Sequence, residues 1–161
     1  MKYSEDIVEK VYSSNSEIGT HTYSHKYLTL LTKENIESEI NSATIIFNEI
    51  TGSNIEYLRP PYGSYNDIVK NISPYPIILW NIDTRDWFTK DSDKIYNHII
   101  TNVCDGCIVL MHDVYPATIE AVKKVIPELK SMGYDIVSVS DELKIKNIEL
   151  SAGEVVREIR N

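Results

Sequence analysis

Cysteine and histidine are scarce in this 161-residue sequence, which holds two of the first and four of the second. Positive charge is short as well: 16 Lys and Arg stand against 24 Asp and Glu, for a formal net charge of −8. No basic stripe is visible, which argues against nucleic acid as a partner, because neutralising phosphates takes clustered Lys and Arg. No apolar run approaches the roughly 20 residues that a membrane-spanning helix needs, so no membrane span is expected. The opening stretch, MKYSEDIVEKVYSSN, lacks the apolar segment of a secretory signal. A glycine-rich phosphate loop is missing too, which leaves a nucleotide-binding α/β domain without support. The two cysteines, Cys104 and Cys107, form a lone C-x-x-C. A structural zinc site would need more sulfur or imidazole nearby, and the context for redox use is weak. The expectation is a turn at Asp105-Gly106, between a helix and an apolar strand.

Apolar residues make up 42% and charged residues 25%, ordinary values for a folded chain long enough for one core. Helix and strand patterns alternate. Ser4 to Tyr12 reads as a short amphipathic helix, with Ile7, Val8 and Val11 on one face. The clearest helix follows Thr32, a plausible N-cap; Ile36, Ile40, Ala43, Ile46 and Phe47 form its apolar face, and Gly52 lies past its end. A short helix near Tyr65–Ile72, one opened by Asp91 or Ser92, and one from Pro116 to before Gly133 complete the helical set. Strands are expected at EIGTH, PIILWNI and CIVLMHD, in IEYLRPPYG before a proline-stopped turn, and in YDIVSVSDEL as a strand followed by a turn. Nearly continuous apolar strands between helices indicate a parallel sheet buried on both faces. Residues from about Ile148 onward read as a polar tail, 148–161, distinct from a domain over 1–147.

In parallel α/β folds, chemistry collects in loops past the C-terminal strand ends. His21 and His25 follow the first strand, Arg59-Pro60-Pro61-Tyr62 the second, Asp83, Asp86 and Trp87 the third, and His112-Asp113 the fourth. Each has a bland reading: a structural histidine pair, a proline-stiffened turn, a satisfied histidine after a strand. Four such groups at four strand ends are harder to dismiss. Two histidines four residues apart can converge on one ion, and the residue after His21 is not the glutamate of the H-E-x-x-H pattern.

In this order, HTYSH, RPPYG, DTRDW and LMHD resemble the motifs of the polysaccharide deacetylase family, the metal-dependent chitin and peptidoglycan deacetylases. The resemblance spans roughly Ile7 to Leu143 and implies an α/β fold, a distorted (β/α) barrel. It implies that His21 and His25 bind a divalent metal, usually zinc. The backbone N–H of Tyr62 would stabilise an oxyanion, and His112, oriented by Asp86, would protonate the leaving amine. Arg59 would pair with a catalytic aspartate, Pro60 and Tyr62 would line the groove, and Trp87 and Leu110 would shape the pocket for the acetyl methyl. The implied reaction is hydrolysis of N-acetyl, or O-acetyl, groups on a polysaccharide or oligosaccharide such as chitin oligomers or peptidoglycan. An extracellular or cell-envelope location goes with it.

The family's Thr-Phe-Asp-Asp motif, which supplies a general base and a third metal ligand, has no counterpart in this sequence; Glu5 and Asp6 do not match it. The expectation is therefore an N-terminally truncated, incomplete barrel with an incomplete ligand set, whose exposed sheet edges favour a homo-oligomer. Three readings stay open: a piece of a longer deacetylase; a catalytically inactive homologue acting as a glycan-binding or interaction domain; and an enzyme completed by a carboxylate from Asp113 or a neighbouring subunit.

Overall fold

A computed structural model describes residues 4–14 and 16–160. The chain divides into two compact units, residues 1–79 with 148–156, and residues 80–147 with 157–161.

The first unit is built on α1 (Glu5–Ser13), α2 (Lys33–Thr51) and α3 (Asp67–Ile72). Helix α2 forms where its pattern places it. Thr32 accepts a hydrogen bond from the Asn35 N–H, Gly52 ends the helix at φ 69°, and Ile36, Ile40, Ala43 and Phe47 are buried. Tyr12 of α1 meets Phe47 edge-on at 5.9 Å. The helices accompany a parallel ladder running through Thr20, Leu58, Ile77 and Val155. Its named strands are β1 (Ile77–Ile78) and, last in the chain, a strand at Val155–Val156.

The second unit contains β2 (Ile82–Asp83), α4 (Asp86–Thr89), α5 (Ser92–Asn102), β3 (Val109–Leu110), α6 (Pro116–Ser131) and α7 (Val139–Lys146). The chain-final strand of the first unit is thus β4. Asp91 caps α5 by accepting from the N–H groups of Asp93 and Lys94. Ile95 and Ile99 of α5 pack with Ala121, Val125 and Leu129 of α6 in one buried cluster. Strands β2 and β3 pair in parallel, Ile82 with Val109 and Asp83 with Leu110.

Parallel pairing is thus observed, but the strands are two residues long rather than continuous runs. PIILWNI is divided between β1 and β2. At the break, the Asn81 side chain accepts from the Ile108 N–H at 2.9 Å, where a strand would use a main-chain carbonyl. YDIVSVSDEL forms no strand. Ser138 accepts from the Asp141 N–H and donates to its carboxylate, a capping interaction that starts α7 where a strand and a turn were expected. The segment 148–161, expected as a polar tail, contributes β4 and buries Ile159. Among the described residues, no helix is long and apolar enough to cross a membrane.

Candidate functional site

Two clusters carry the expected residues, one in each unit. In the first, the parallel bridge between Thr20 and Leu58 puts the next residues of each strand, His21 and Arg59, side by side. The Thr20 N–H donates to Tyr57 and the Arg59 N–H donates to Thr20, each at 2.9 Å. His21 Nδ1 lies 2.5 Å from the Arg59 carbonyl oxygen. A carbonyl can only accept, so Nδ1 carries the hydrogen and Nε2 keeps its lone pair. The His21 and His25 rings meet edge-on at 4.9 Å, and His25 Nδ1 is 3.3 Å from the Tyr62 hydroxyl. Tyr62 stacks on Tyr27 at 3.8 Å.

This histidine loop is strained. Thr22, His25 and Tyr62 all take the left-handed region, at φ 66°, 58° and 61°, which is uncommon for non-glycine residues. Glu39, buried in α2, holds it in place. One carboxylate oxygen accepts from the Ser24 N–H at 2.7 Å, the other from the Ser24 hydroxyl, and Lys26 lies 3.4 Å away. Burial pushes the Glu39 carboxyl up, but the two Ser24 hydrogen bonds and Lys26 together bring it below its ordinary value. Pro60 and Pro61 are buried. Arg59 donates from Nε to the Ile78 carbonyl at 3.1 Å and from Nη2 to Leu79 at 3.3 Å, and burial lowers its guanidinium pKa. The aspartate with which the family's arginine pairs belongs to the motif that this sequence lacks, and in these contacts Arg59 donates to main-chain carbonyls.

In the second cluster, the residues past β2 and β3 meet at Asp86, which is wholly buried. Its Oδ1 accepts from His112 Nδ1 at 2.7 Å and from the Trp87 N–H at 2.9 Å. Its Oδ2 accepts from the His112 N–H at 2.6 Å and the Thr118 hydroxyl at 2.8 Å. Burial raises the carboxyl's pKa, and these bonds to His112 and Thr118 outweigh it, leaving Asp86 below the usual carboxylate range. His112 is partly exposed, with Nδ1 occupied and Nε2 remaining. Leu110 is buried in β3, while Trp87 and its edge-on neighbour Phe88 are exposed, as is Asp113.

Glu39 and Thr118 are absent from the sequence expectations. Glu39 was discoverable, since it lies three residues after Ile36 and so on the buried stripe of α2, where an unpaired acid would be costly. Nothing local marks Thr118, whose partner is 32 residues away. As to metal, with its hydrogen on Nδ1, His21 has Nε2 as the ring's lone-pair donor, and together with the adjacent His25 ring it suits an ion that accepts imidazole. Among the described residues, no group of three or more His, Cys, Asp or Glu side chains is placed to hold one. The pair fits two positions of a ligand set and leaves the rest to another donor.

A family profile described as polysaccharide deacetylase matches residues 1–74. A peptidoglycan-N-acetylglucosamine deacetylase of Bacillus cereus is 34% identical over 149 residues, covering 88% of this chain and 70% of that protein. The peptidoglycan-N-acetylmuramic acid deacetylase PdaC of Bacillus subtilis is 29% identical over 91% of this chain, which spans 31% of PdaC's length. The solved structure of PdaC matches with a TM-score of 0.88, covering 72% of that chain. A CE4 family pseudoenzyme from Bacillus anthracis matches at 27% identity with a TM-score of 0.83, over 88% of this chain and 51% of that one. The fold is therefore of the deacetylase type, and this chain belongs to the polysaccharide deacetylase family of hydrolases.

Proposed function

We propose that the chain takes part in metal-dependent hydrolysis of N-acetyl groups on an amino sugar of peptidoglycan, in the cell envelope. The observation that carries this reading is the Asp86–His112 pair, in which one buried carboxylate accepts from both the ring and the main chain of one histidine. Such a histidine is held in one tautomer and one orientation. Its Nε2 gives a proton to the amine nitrogen as the carbon–nitrogen bond breaks. The Tyr62 N–H donates to the oxygen on which charge develops, Pro60 and the Tyr62 ring border the sugar, and Trp87 and Leu110 exclude water around the acetyl methyl. His21 and His25 would hold the ion, zinc in the first instance, which when bound supplies Lewis-acid polarisation of the acetyl group. Arg59, through its carbonyl, keeps the His21 ring in the ligating tautomer.

That no third ligand joins the histidine pair among the described residues favours a second reading, a glycan-binding domain without catalysis, and the similar Bacillus anthracis protein is itself a pseudoenzyme. Acetate release from N-acetylated peptidoglycan fragments, with zinc or cobalt added, separates the two. The first reading expects release that disappears in His112→Ala and in His21→Ala. Retention of the glycan without acetate, undisturbed by His112→Ala, supports the second and refutes the first.

A further inference from the structure

The C-x-x-C pair has no part in the reaction proposed above. Cys104 and Cys107 are joined in a disulfide within the loop between α5 and β3, and both are half-buried. Such a bridge makes a poor staple, because the entropy it removes from the unfolded chain grows with the length of loop closed, and this loop is four residues long. The loop is already closed by other means. The Cys107 N–H donates to the Cys104 carbonyl at 3.2 Å, and the Ile159 N–H donates to the Gly106 carbonyl at 2.8 Å. Gly106, at φ 70°, lies so near the Ile159 carbonyl that an added Cβ would sit 1.8 Å from its oxygen.

Polar donors face both sulfurs. Arg160 Nη2 is 2.8 Å from Cys104 Sγ, and Asn81 Nδ2 is 3.2 Å from Cys107 Sγ. A disulfide sulfur is a weak acceptor, whereas a thiolate beside a guanidinium gains a charge-assisted bond. These donors therefore favour the reduced form over the oxidised one. Among the described residues, the opposing groups include Glu158, which also accepts from Asn81 Nδ2 at 2.9 Å. Glu158 pairs with Arg160 at 2.8 Å, Asp105 is held by Lys146, and the C-terminal end of α5 lies two residues before Cys104. That helix end acts against a thiolate, though more weakly than direct contact with a cation acts for it.

We propose that Cys104–Cys107 is a thiol–disulfide exchange site that reacts with an external dithiol, and that Cys104 is the sulfur released as thiolate onto Arg160. A thiolate of the dithiol attacks Cys107 Sγ. The sulfur–sulfur bond breaks, and its electron pair goes to Cys104. The second thiol of the dithiol, deprotonated, attacks its own sulfur in the mixed disulfide and releases Cys107, which takes up a proton. Two electrons reach the protein, and the dithiol departs as a disulfide.

The test equilibrates the purified chain in mixtures of reduced and oxidised dithiothreitol, traps thiols with iodoacetamide and counts them by mass. The native chain should reduce reversibly. Arg160→Ala should lower the equilibrium constant for reduction about tenfold, equal to about 30 mV for a two-electron couple, and Arg160→Lys should restore part of it. In Cys107→Ser, alkylation of Cys104 should show a pH midpoint below the ordinary thiol value of about 8.5, and Cys107 in Cys104→Ser should not. The proposal is overturned if the bridge resists excess dithiothreitol until urea unfolds the chain. It is equally overturned if Arg160→Ala leaves the equilibrium unchanged, or if no mixture closes the bridge.

Discussion

Replacing Asp86 by asparagine keeps the shape of the side chain and removes its charge, and the hydrogen-bond map says what must fail. If the amide nitrogen takes the place of Oδ2, it faces the His112 N–H and the Thr118 hydroxyl. The hydroxyl can rotate to accept, but the main-chain N–H has nowhere to turn. If the nitrogen takes the place of Oδ1, it faces His112 Nδ1 and the Trp87 N–H. The ring can change tautomer, and again one main-chain N–H is orphaned. Either arrangement leaves a buried donor unsatisfied, at about 1–3 kcal/mol, and weakens the remaining bonds from charge-assisted to neutral. The sum is about 3–4 kcal/mol at pH 7, or about 10 °C in Tm for a chain of this size.

Urea and thermal unfolding followed by circular dichroism measure this directly, and pH supplies a second check. The folded carboxyl titrates below its unfolded value of about 3.9. Its stabilisation is therefore complete above that value and lost as pH falls through the folded pKa. The gap between native chain and Asp86→Asn should shrink in acid. A loss under about 1 kcal/mol at pH 7, or a gap that stays constant into acid, refutes the reasoning.

Glu39→Gln should destabilise by about 1–2 kcal/mol, since one oxygen of the Ser24 clamp becomes a donor, and should weaken cobalt binding read by visible absorption. Unchanged cobalt affinity would show that Glu39 does not position the histidine loop. Gly153→Ala should cost about 2–4 kcal/mol in melts, because φ is 74° and the new Cβ would fall 2.1 Å from the Lys70 carbonyl oxygen. Gly52→Ala, at φ 69° with nothing within 4 Å, should cost only about 1 kcal/mol, so equal losses would contradict the steric argument.

Helix α2 could be read from sequence because its signals are local: a cap at Thr32, a 3.6-residue stripe and a glycine stop. Four of the five expected strand segments enter parallel pairing, each pairing only one or two residues long, and YDIVSVSDEL enters none. Apolar content marks burial, and burial alone does not decide how many residues enter a ladder. Asn81 and Ser138 settle that matter with side-chain hydrogen bonds, the first to a residue 27 positions away. Ser138 was within reach, since S-x-x-D is a capping pattern, but a β-rich run outweighed it. The motifs placed His21, His25, Asp86 and His112 by resemblance. The Arg59 carbonyl on His21, the Thr118 hydroxyl on Asp86 and the Glu39 clamp on Ser24 depend on chain crossings that no local pattern encodes. A C-x-x-C by itself does not say whether its sulfurs are bonded, so the Cys104–Cys107 disulfide is legible only in the fold.

Under the proposed function, the two histidines whose rings are fixed at Nδ1 would turn one device to two tasks. Each is bound at that nitrogen by an oxygen acceptor from another stretch of chain, so the neutral ring carries its lone pair at Nε2. The acceptors differ in charge. Arg59 offers His21 a carbonyl, which fixes the tautomer but supplies no counter-charge, and an imidazole so held suits donation of a lone pair to a cation. Asp86 offers His112 a buried carboxylate, which fixes the same tautomer and also balances a proton gained at Nε2. Exchanging the acceptors would exchange those aptitudes. The parallel pairings at Thr20–Leu58 and Asp83–Leu110 deliver each acceptor to its ring, so under the proposed function strand register would set this division of labour.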